Sequence, residues 1–251
     1  MVARRKKSPA RRRAAGAATG DGERLTFAEP EAAPYGSAGM PRVIAVAGNM
    51  GAGKSSLVEW LRQQFGMTPF FEPNEDNPYL EDFYQDMKRW AMSSQLWFLI
   101  RRFQIHRSIA SCAATNPRPL VQDRTIYEDA EVFAFHLRRR GFISQRDWSC
   151  YQDFYQTLRQ ELSPPHLMIY LRCPLKALVK RIRKRGRRFE QDVPRRYLAS
   201  LEKLYEEWFE GYRESPTLVL RTDRLDYVEH LFDRLELLQA IEKHVGVKPE
   251  R

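Results

Sequence analysis

A glycine-rich segment with one lysine and one serine is the clearest sign of chemistry in this sequence. Residues 48–55 read Gly-Asn-Met-Gly-Ala-Gly-Lys-Ser and follow the apolar run 43–47. Glycines let backbone N–H groups approach an anion closely, and the positive end of the following helix faces the same anion. Lys54 would reach the β- and γ-phosphates of ATP, and the Ser55 hydroxyl would bind Mg²⁺. The predicted ATP site comprises Gly48, Asn49, Met50, Gly51, Ala52, Gly53, Lys54, Ser55 and Ser56.

Two carboxylates stand where short apolar runs end. Glu72 closes the run 68–72 and precedes Pro73, so it could take a proton from an attacking hydroxyl, although a surface acid is an equally good interpretation. Asp123 closes the run 119–123 and is a candidate second Mg²⁺ ligand in the Walker-B manner. Arg124 beside it could hold the reacting hydroxyl or a transferring phosphate, with a structural ion pair as the alternative.

A polar stripe interrupts the apolar segment 90–103. Gln95 and Arg102 are seven residues apart, so on a helix they share a face to within about 20°. Tyr84 falls near the same stripe if the helix continues unbroken. Such a face suits a planar aromatic ligand, because Gln offers a donor and an acceptor and the aromatic residues can stack. An interior helix with mutually satisfied polar groups fits the spacing equally well.

The elements that must position these residues alternate between strands and helices. Apolar, nearly unalternated strands are predicted at 43–47, 68–72, 119–123, 167–172 and 217–221, with helices at 54–65, 80–113, 127–139, 144–161, 174–184, 194–211 and 225–245. This order predicts an α/β fold, a P-loop NTPase three-layer sandwich whose five-stranded parallel sheet is flanked by helices. Ligands of such sheets bind beyond the carboxyl ends of the strands.

The net charge of +10 comes from two local basic segments. Residues 1–20 and 180–188 each hold seven Lys or Arg and no acid, so the rest of the chain is slightly acidic. The run 180–188 lies after the fourth strand and its helix. We interpret it as an arginine-rich lid over the triphosphate rather than a nucleic-acid surface or a solvated basic face.

Residues 1–40 are predicted to be a disordered basic tail, and residues 41–251 the folded domain. Three widely spaced cysteines indicate a reducing compartment, so we expect a cytoplasmic protein, with a mitochondrial transit peptide as the alternative for the tail. No apolar run is long enough for a membrane span.

Taken together, these motifs resemble the deoxyribonucleoside kinases, most of all the bacterial deoxyadenosine/deoxyguanosine branch. The likeness rests on Phe-Glu-Pro at 71–73, Asp-Asn-Pro-Tyr-Leu at 76–80, Gln-Asp-Arg-Thr-Ile-Tyr-Glu-Asp at 122–129 and the run 181–190, besides the glycine-rich loop. The resemblance implies transfer of the ATP γ-phosphoryl group to the 5′-hydroxyl of a deoxynucleoside. It also implies a homodimer.

The resemblance assigns roles by motif match. Glu72 would be the general base, Arg124 would hold the 5′ oxygen, and Asp123 and Ser55 would organise Mg²⁺. The remaining assignments are Tyr84 and Glu190 to the sugar 3′-hydroxyl, Gln95, Arg102 and Asp129 to the base, and Arg181, Arg185 and Arg187 to the lid. An Arg102–Asp129 pair would crowd the thymine methyl group, so we predict a purine deoxynucleoside or deoxycytidine as the substrate.

Two other functions fit parts of the sequence. A nucleoside monophosphate kinase such as a thymidylate kinase shares the loop and an Asp-Arg motif, but Glu72 would repel an acceptor phosphate. A non-catalytic P-loop protein or a nucleic-acid-binding protein could use the basic tail, but it would not need Lys54, Ser55, Glu72 and Asp123 together. We therefore expect ATP and a deoxynucleoside as ligands, and neither nucleic acid nor membrane as a partner.

Overall fold

A parallel sheet organises the chain, as the alternation of strands and helices predicts. The computed structural model describes residues 25–28, 43–71, 76–187, 190, 193–223, 235, 237–239 and 241. Its strands are β1 (Leu25–Ala28), β2 (Val43–Ala47), β3 (Thr68–Phe70), β4 (Leu120–Asp123), β5 (Leu167–Arg172) and β6 (Thr217–Arg221). They lie side by side in the order β1-β6-β5-β2-β4-β3.

The five predicted strands are β2 to β6, and all of their pairings are parallel. The sixth strand, β1, is a correction to the prediction that residues 1–40 lack regular structure. It pairs antiparallel with β6, with Leu25 opposite Leu220 and Ala28 opposite Thr217. An edge strand needs backbone partners on one side only, so four residues after a basic segment suffice, and this is too short for periodicity to reveal.

The helices lie on both faces of the sheet. They are α1 (Lys54–Phe65), α2 (Leu80–Gln85), α3 (Met87–Thr115), α4 (Ile126–Glu128), α5 (Phe135–Arg139), α6 (Gln145–Gln160), α7 (Leu175–Arg185) and α8 (Arg195–Gly211). A π-helical segment, Asp129–Ala134, joins α4 to α5. The predicted helix 225–245 lies almost wholly outside the described residues.

Two hydrophobic clusters separate the layers. Ile44 and Val46 of β2 point into the cluster that α1 and α7 cover. Ala45 and Ala47 point into the opposite cluster, which includes residues of α3, α6 and α8. Successive strand residues face opposite sides, so near-continuous apolar strands produce a core on each face and the predicted three-layer sandwich.

The predicted helix 80–113 is interrupted. Asp86 has φ −137° and ψ 81°, and its side chain accepts a hydrogen bond from the Arg89 N–H at 3.1 Å. Asp86 therefore caps α3, because an aspartate at this position satisfies one of the free N–H groups of the first turn. Tyr84 precedes the break and does not belong to the same helix as Gln95.

Among the described residues, no helix is both long enough and apolar enough to cross a lipid bilayer.

Candidate active site

The glycine-rich loop connects β2 to α1 and adopts conformations that favour glycine. Gly48, Gly51 and Gly53 have φ of 146°, 78° and 103°. A Cβ on Gly48 would lie 2.9 Å from the Leu171 carbonyl oxygen of β5, so the loop also needs glycine for close packing. The buried Lys54 amine donates to the Asn49 carbonyl at 3.2 Å, which holds this cation within the loop.

Asp123 and Ser55 meet at the carboxyl end of β4. The Ser55 hydroxyl donates to Asp123 Oδ2 at 2.6 Å. Asp123 is 2% exposed, and its other oxygen, Oδ1, is buried without a hydrogen-bond partner. A buried oxygen of this kind can take an ion or a water as its partner. Mg²⁺ usually takes one or two carboxylates together with substrate phosphates, so this pair fits a magnesium ion.

Arg124 follows Asp123 in an unusual backbone conformation. Its φ is 67°, the only positive value of a non-glycine residue within the described ranges. The backbone is held in place because the Arg124 N–H donates to the Val46 carbonyl of β2 at 2.9 Å. The guanidinium lies 4.4 Å from the centre of the Phe133 ring. Such strain concentrates at functional sites, and here it turns the side chain toward the cleft.

Lys54, Ser55 and Arg124 border one cleft of about 670 Å³, open mouth included. That volume suits a ligand of nucleoside size. The residues that line the cleft come from the glycine-rich loop, the start of α1, α2, α3, the turn after β4, the π-helical segment, α7, the segment after α7, and α8: Met50, Gly51, Lys54, Ser55, Leu80, Phe83, Tyr84, Gln95, Phe98, Arg124, Asp129, Phe133, Arg185, Glu190 and Tyr197. Tyr84 thus shares the cleft with Gln95 although α2 and α3 are separate helices.

A buried ion pair lies at the base of this cleft. Arg102 Nε donates to Asp129 Oδ2 at 2.9 Å, and both side chains are almost wholly buried. A second guanidinium nitrogen of Arg102 donates to the Asp123 carbonyl at 3.2 Å. Gln95 is also buried, and its Oε1 accepts no hydrogen bond. Asp129 is the first residue of the π-helical segment, a local geometry that is frequent at functional sites.

The predicted lid arginines separate into two environments. Arg185 forms a bidentate ion pair with the buried Glu190, and Arg187 Nη1 lies 3.7 Å from the same carboxylate. Arg181 instead donates to the Ala52 carbonyl at 3.0 Å and to the Thr222 carbonyl at 2.6 Å. Arg181 therefore fastens α7 to the loop and to the end of β6, and its guanidinium does not share the contacts of the other two.

Glu72 and Glu128 differ from the other site residues in what the sequence and the structure say of them. Glu72 lies outside the described residues, so its predicted role stays a prediction. Glu128 received no role from the sequence, yet it is fully buried and accepts a hydrogen bond from the Gly48 N–H at 3.1 Å. A signal for it was present, because Thr125 and Glu128 have the spacing of a capping box and form one.

Fold and cleft together define a P-loop kinase, and comparisons with known proteins define the family. The sequence model of the deoxynucleoside kinases matches residues 44–246. This chain belongs to the deoxynucleoside kinase family.

Individual relatives and solved structures agree. Deoxyadenosine/deoxycytidine kinase of Bacillus subtilis is 33% identical over 201 residues, which cover 77% of this chain and 91% of the relative. Deoxyguanosine kinase of Lactobacillus johnsonii is 35% identical over 208 residues, or 79% and 90%. The structure of deoxyadenosine kinase from M. mycoides with bound dATP superimposes with a TM-score of 0.69 at 30% identity and covers 80% of this chain and 99% of that one.

Proposed function

We propose that this enzyme transfers the γ-phosphoryl group of ATP to the 5′-hydroxyl of deoxyadenosine, deoxyguanosine or deoxycytidine. The observation that carries the proposal is a single cleft lined by the phosphate-binding loop and by Gln95, Arg124 and Asp129. Relatives named for these three nucleosides support the substrate class.

The donor would bind at the loop between β2 and α1. Backbone N–H groups of the loop and the Lys54 amine would hold the phosphates, as they do in P-loop enzymes. Ser55 and Asp123 would hold Mg²⁺, which, when bound, neutralises charge that develops on the β- and γ-phosphates. The buried Asp123 Oδ1 without a partner supports this assignment.

The acceptor would bind between the loop and the buried ion pair. Glu72 would take the proton of the 5′-hydroxyl, Arg124 would hold the 5′ oxygen, and Tyr84 would contact the sugar. Gln95 would read the base with its amide, while Arg102 and Asp129 shape the pocket edge. A polar, charged edge disfavours thymine, because its methyl group would leave buried polar groups without partners.

Arg185 and Glu190 are assigned to different ligands but bind each other in this structure. The ATP phosphates would draw Arg185 and Arg187 away, and the sugar 3′-hydroxyl would take their place on Glu190. Binding of either substrate would thereby break the Arg185–Glu190 ion pair and free the residue that binds the other substrate. Charged donors of this kind stabilise the charge of a transferring phosphoryl group.

Three wider assignments accompany this function. We place the kinase domain at residues 41–251 and expect a homodimer. The expected cytoplasmic location rests on the odd number and wide spacing of the cysteines, Cys112, Cys150 and Cys173. These remain predictions from the sequence.

The test is an assay of ATP-dependent phosphorylation of the four deoxynucleosides by the wild type and two variants. Glu72→Gln should lower kcat by about 10²–10⁴-fold, the usual contribution of a general base. Glu75→Gln, the same change three residues further on, is the matched control and should leave kcat within about threefold of the wild type. If the phosphoryl group were transferred to a nucleoside monophosphate and to none of the deoxynucleosides, the protein would be a nucleoside monophosphate kinase instead.

A further inference from the structure

Glu128 is a buried carboxylate that has no role in the phosphoryl transfer described above. It is the last residue of α4 and is fully buried. It is not among the residues that line the cleft. A carboxylate without access to water is costly unless hydrogen bonds compensate for it, so its partners indicate its role.

Glu128 binds four donors from three separate segments. Its Oε1 accepts from the Gly48 N–H at 3.1 Å and from the Tyr205 hydroxyl of α8 at 2.9 Å. Its Oε2 accepts from the Thr125 N–H at 2.9 Å and from the Thr125 hydroxyl at 3.3 Å. A buried carboxyl group that accepts four hydrogen bonds is a firm link, because the loss of a partner leaves a buried polar group unsatisfied.

The two backbone donors flank the reaction centre. Gly48 opens the phosphate-binding loop, and Thr125 follows the strained Arg124 that is assigned to the acceptor oxygen. One carboxylate therefore joins the donor loop to the acceptor turn. The Gly48 backbone is also packed tightly, because a Cβ on Gly48 would meet the Leu171 carbonyl at 2.9 Å. A shift at either end would be passed to the other through Glu128.

The charges nearby are consistent with such a link. Burial raises the pKa of the Glu128 carboxyl, while Arg124 and Lys54 act in the opposite direction. Burial is the larger effect, and the opposing effects show that Glu128 lies within electrostatic reach of both cations of the site.

We propose that Glu128 is a positioning residue that sets the distance between the phosphate-binding loop and Arg124, and hence the alignment of donor and acceptor. The proposal rests on the proposed function. Misalignment lowers the rate of the bound complex more than it weakens binding, since reacting atoms displaced by about 1 Å can lose 10²-fold in rate. A purely structural residue would lower stability without this selective loss.

The experiment compares Glu128→Gln with Tyr205→Phe. The amide of Glu128→Gln keeps the size but offers an NH₂ group where one oxygen accepted hydrogen bonds, so the contacts to Gly48 or to Thr125 are lost. Tyr205→Phe removes one hydrogen bond to the same carboxylate and leaves both backbone links intact. Both variants are measured for kcat, for KM of ATP and deoxynucleoside, and for thermal unfolding.

We expect Glu128→Gln to lower kcat by about 10²-fold with both KM values within about threefold, while Tyr205→Phe keeps kcat within about threefold. Equal kcat losses in the two variants, or a change confined to KM, would overturn the proposal. Glu128→Asp keeps the charge but shortens the reach by one methylene, and it should show the same loss of kcat if Glu128→Gln does not fold. A wild type without transfer to any deoxynucleoside refutes the proposed function instead.

Discussion

Arg102 of α3 and Asp129 of the π-helical segment form an ion pair of 2.9 Å that is hidden from solvent. Burial of a single charge has a large desolvation cost, and the attraction between two opposite charges offsets much of that cost. The pair joins two elements that line the cleft, and Arg102 also binds the backbone of Asp123. The same contact thus supports the fold and shapes the pocket.

Removal of one member of this pair should destabilise the protein more than removal of both. Asp129→Ala leaves a buried guanidinium without its counter-charge and should cost about 3–5 kcal/mol in the free energy of unfolding. The double variant with Arg102→Met should recover most of that loss. Urea unfolding measures both. Glu214→Ala, which breaks the partly exposed pair with Arg159, is the control and should cost about 1 kcal/mol or less.

The same double variant should change substrate preference. Without the charged edge, the thymine methyl group no longer meets polar groups that need partners. The ratio of kcat/KM for thymidine to that for deoxyadenosine should rise about tenfold or more. An unchanged ratio in a folded double variant would show that this pair does not exclude thymidine.

Gly48→Ala should be far more damaging than Gly141→Ala. Both glycines have positive φ, so each alanine carries a backbone cost of about 1–2 kcal/mol. At Gly141 the new Cβ meets nothing within 4 Å, whereas at Gly48 it meets the Leu171 carbonyl at 2.9 Å. Isothermal titration with ATP should show a loss of affinity for Gly48→Ala only. Equal effects on ATP affinity would mean that loop geometry is not the determinant.

Asp123→Asn should alter the magnesium dependence of the reaction. The substitution removes the negative charge and replaces one oxygen with an amide nitrogen, so the Mg²⁺ concentration for half-maximal activity should rise about tenfold or more. The control is Glu59→Gln, an acid-to-amide change on α1 whose carboxylate pairs with Arg62 outside the cleft. A magnesium titration that is identical for Asp123→Asn and the wild type would contradict the assignment of Asp123.

His106 should make stability fall in mild acid. Burial, together with the nearby Arg102, lowers the pKa of His106 from its usual value of about 6.5 to about 3. Between pH 6.5 and pH 3 the unfolded chain therefore binds a proton at His106 that the folded chain does not bind. The contribution of His106 to stability is fully present above pH 6.5 and declines as the pH falls toward 3. For this histidine alone the loss from pH 7 to pH 5 is about 2 kcal/mol.

His106→Gln tests that expectation, because the amide oxygen can still accept the Ile126 N–H that His106 Nε2 accepts at 3.4 Å. Its unfolding free energy should depend less on pH between 7 and 5 than that of the wild type. His136, whose pKa burial lowers to about 4, remains in both proteins and contributes equally. Parallel pH profiles would exclude His106 as the source.

The sequence predicts most of the strands and helices, because local patterns of apolar and polar residues determine them. β2, α1, β5 and β6 have the predicted bounds, since each is an apolar strand or an amphipathic helix with clear ends. The glycine-rich loop was recognisable because few arrangements other than phosphate binding require three glycines before Lys-Ser. The break at Asp86 was not predicted. An aspartate is a common helix cap, but the helical pattern continues on both sides of it.

Other features depend on contacts that no local pattern records. The π-helical segment from Asp129 arises where α4 and α5 meet α3 and α8, and its residues alone have no period that indicates it. Arg181 lies in a basic run with Arg185, yet its position on α7 directs it to Ala52 and Thr222. The partners of Glu128 lie 80 and 77 residues away in the chain at Gly48 and Tyr205, so only the fold brings them together.

A comparison of five acceptors tests the proposed substrate class. Deoxyadenosine, deoxyguanosine, deoxycytidine, thymidine and dAMP are each offered with ATP and Mg²⁺, and the product and kcat/KM are determined for each. We predict a 5′-monophosphate from a purine deoxynucleoside or deoxycytidine, with kcat/KM at least about tenfold above that for thymidine and for dAMP. Preferred phosphorylation of dAMP or of thymidine would contradict the account.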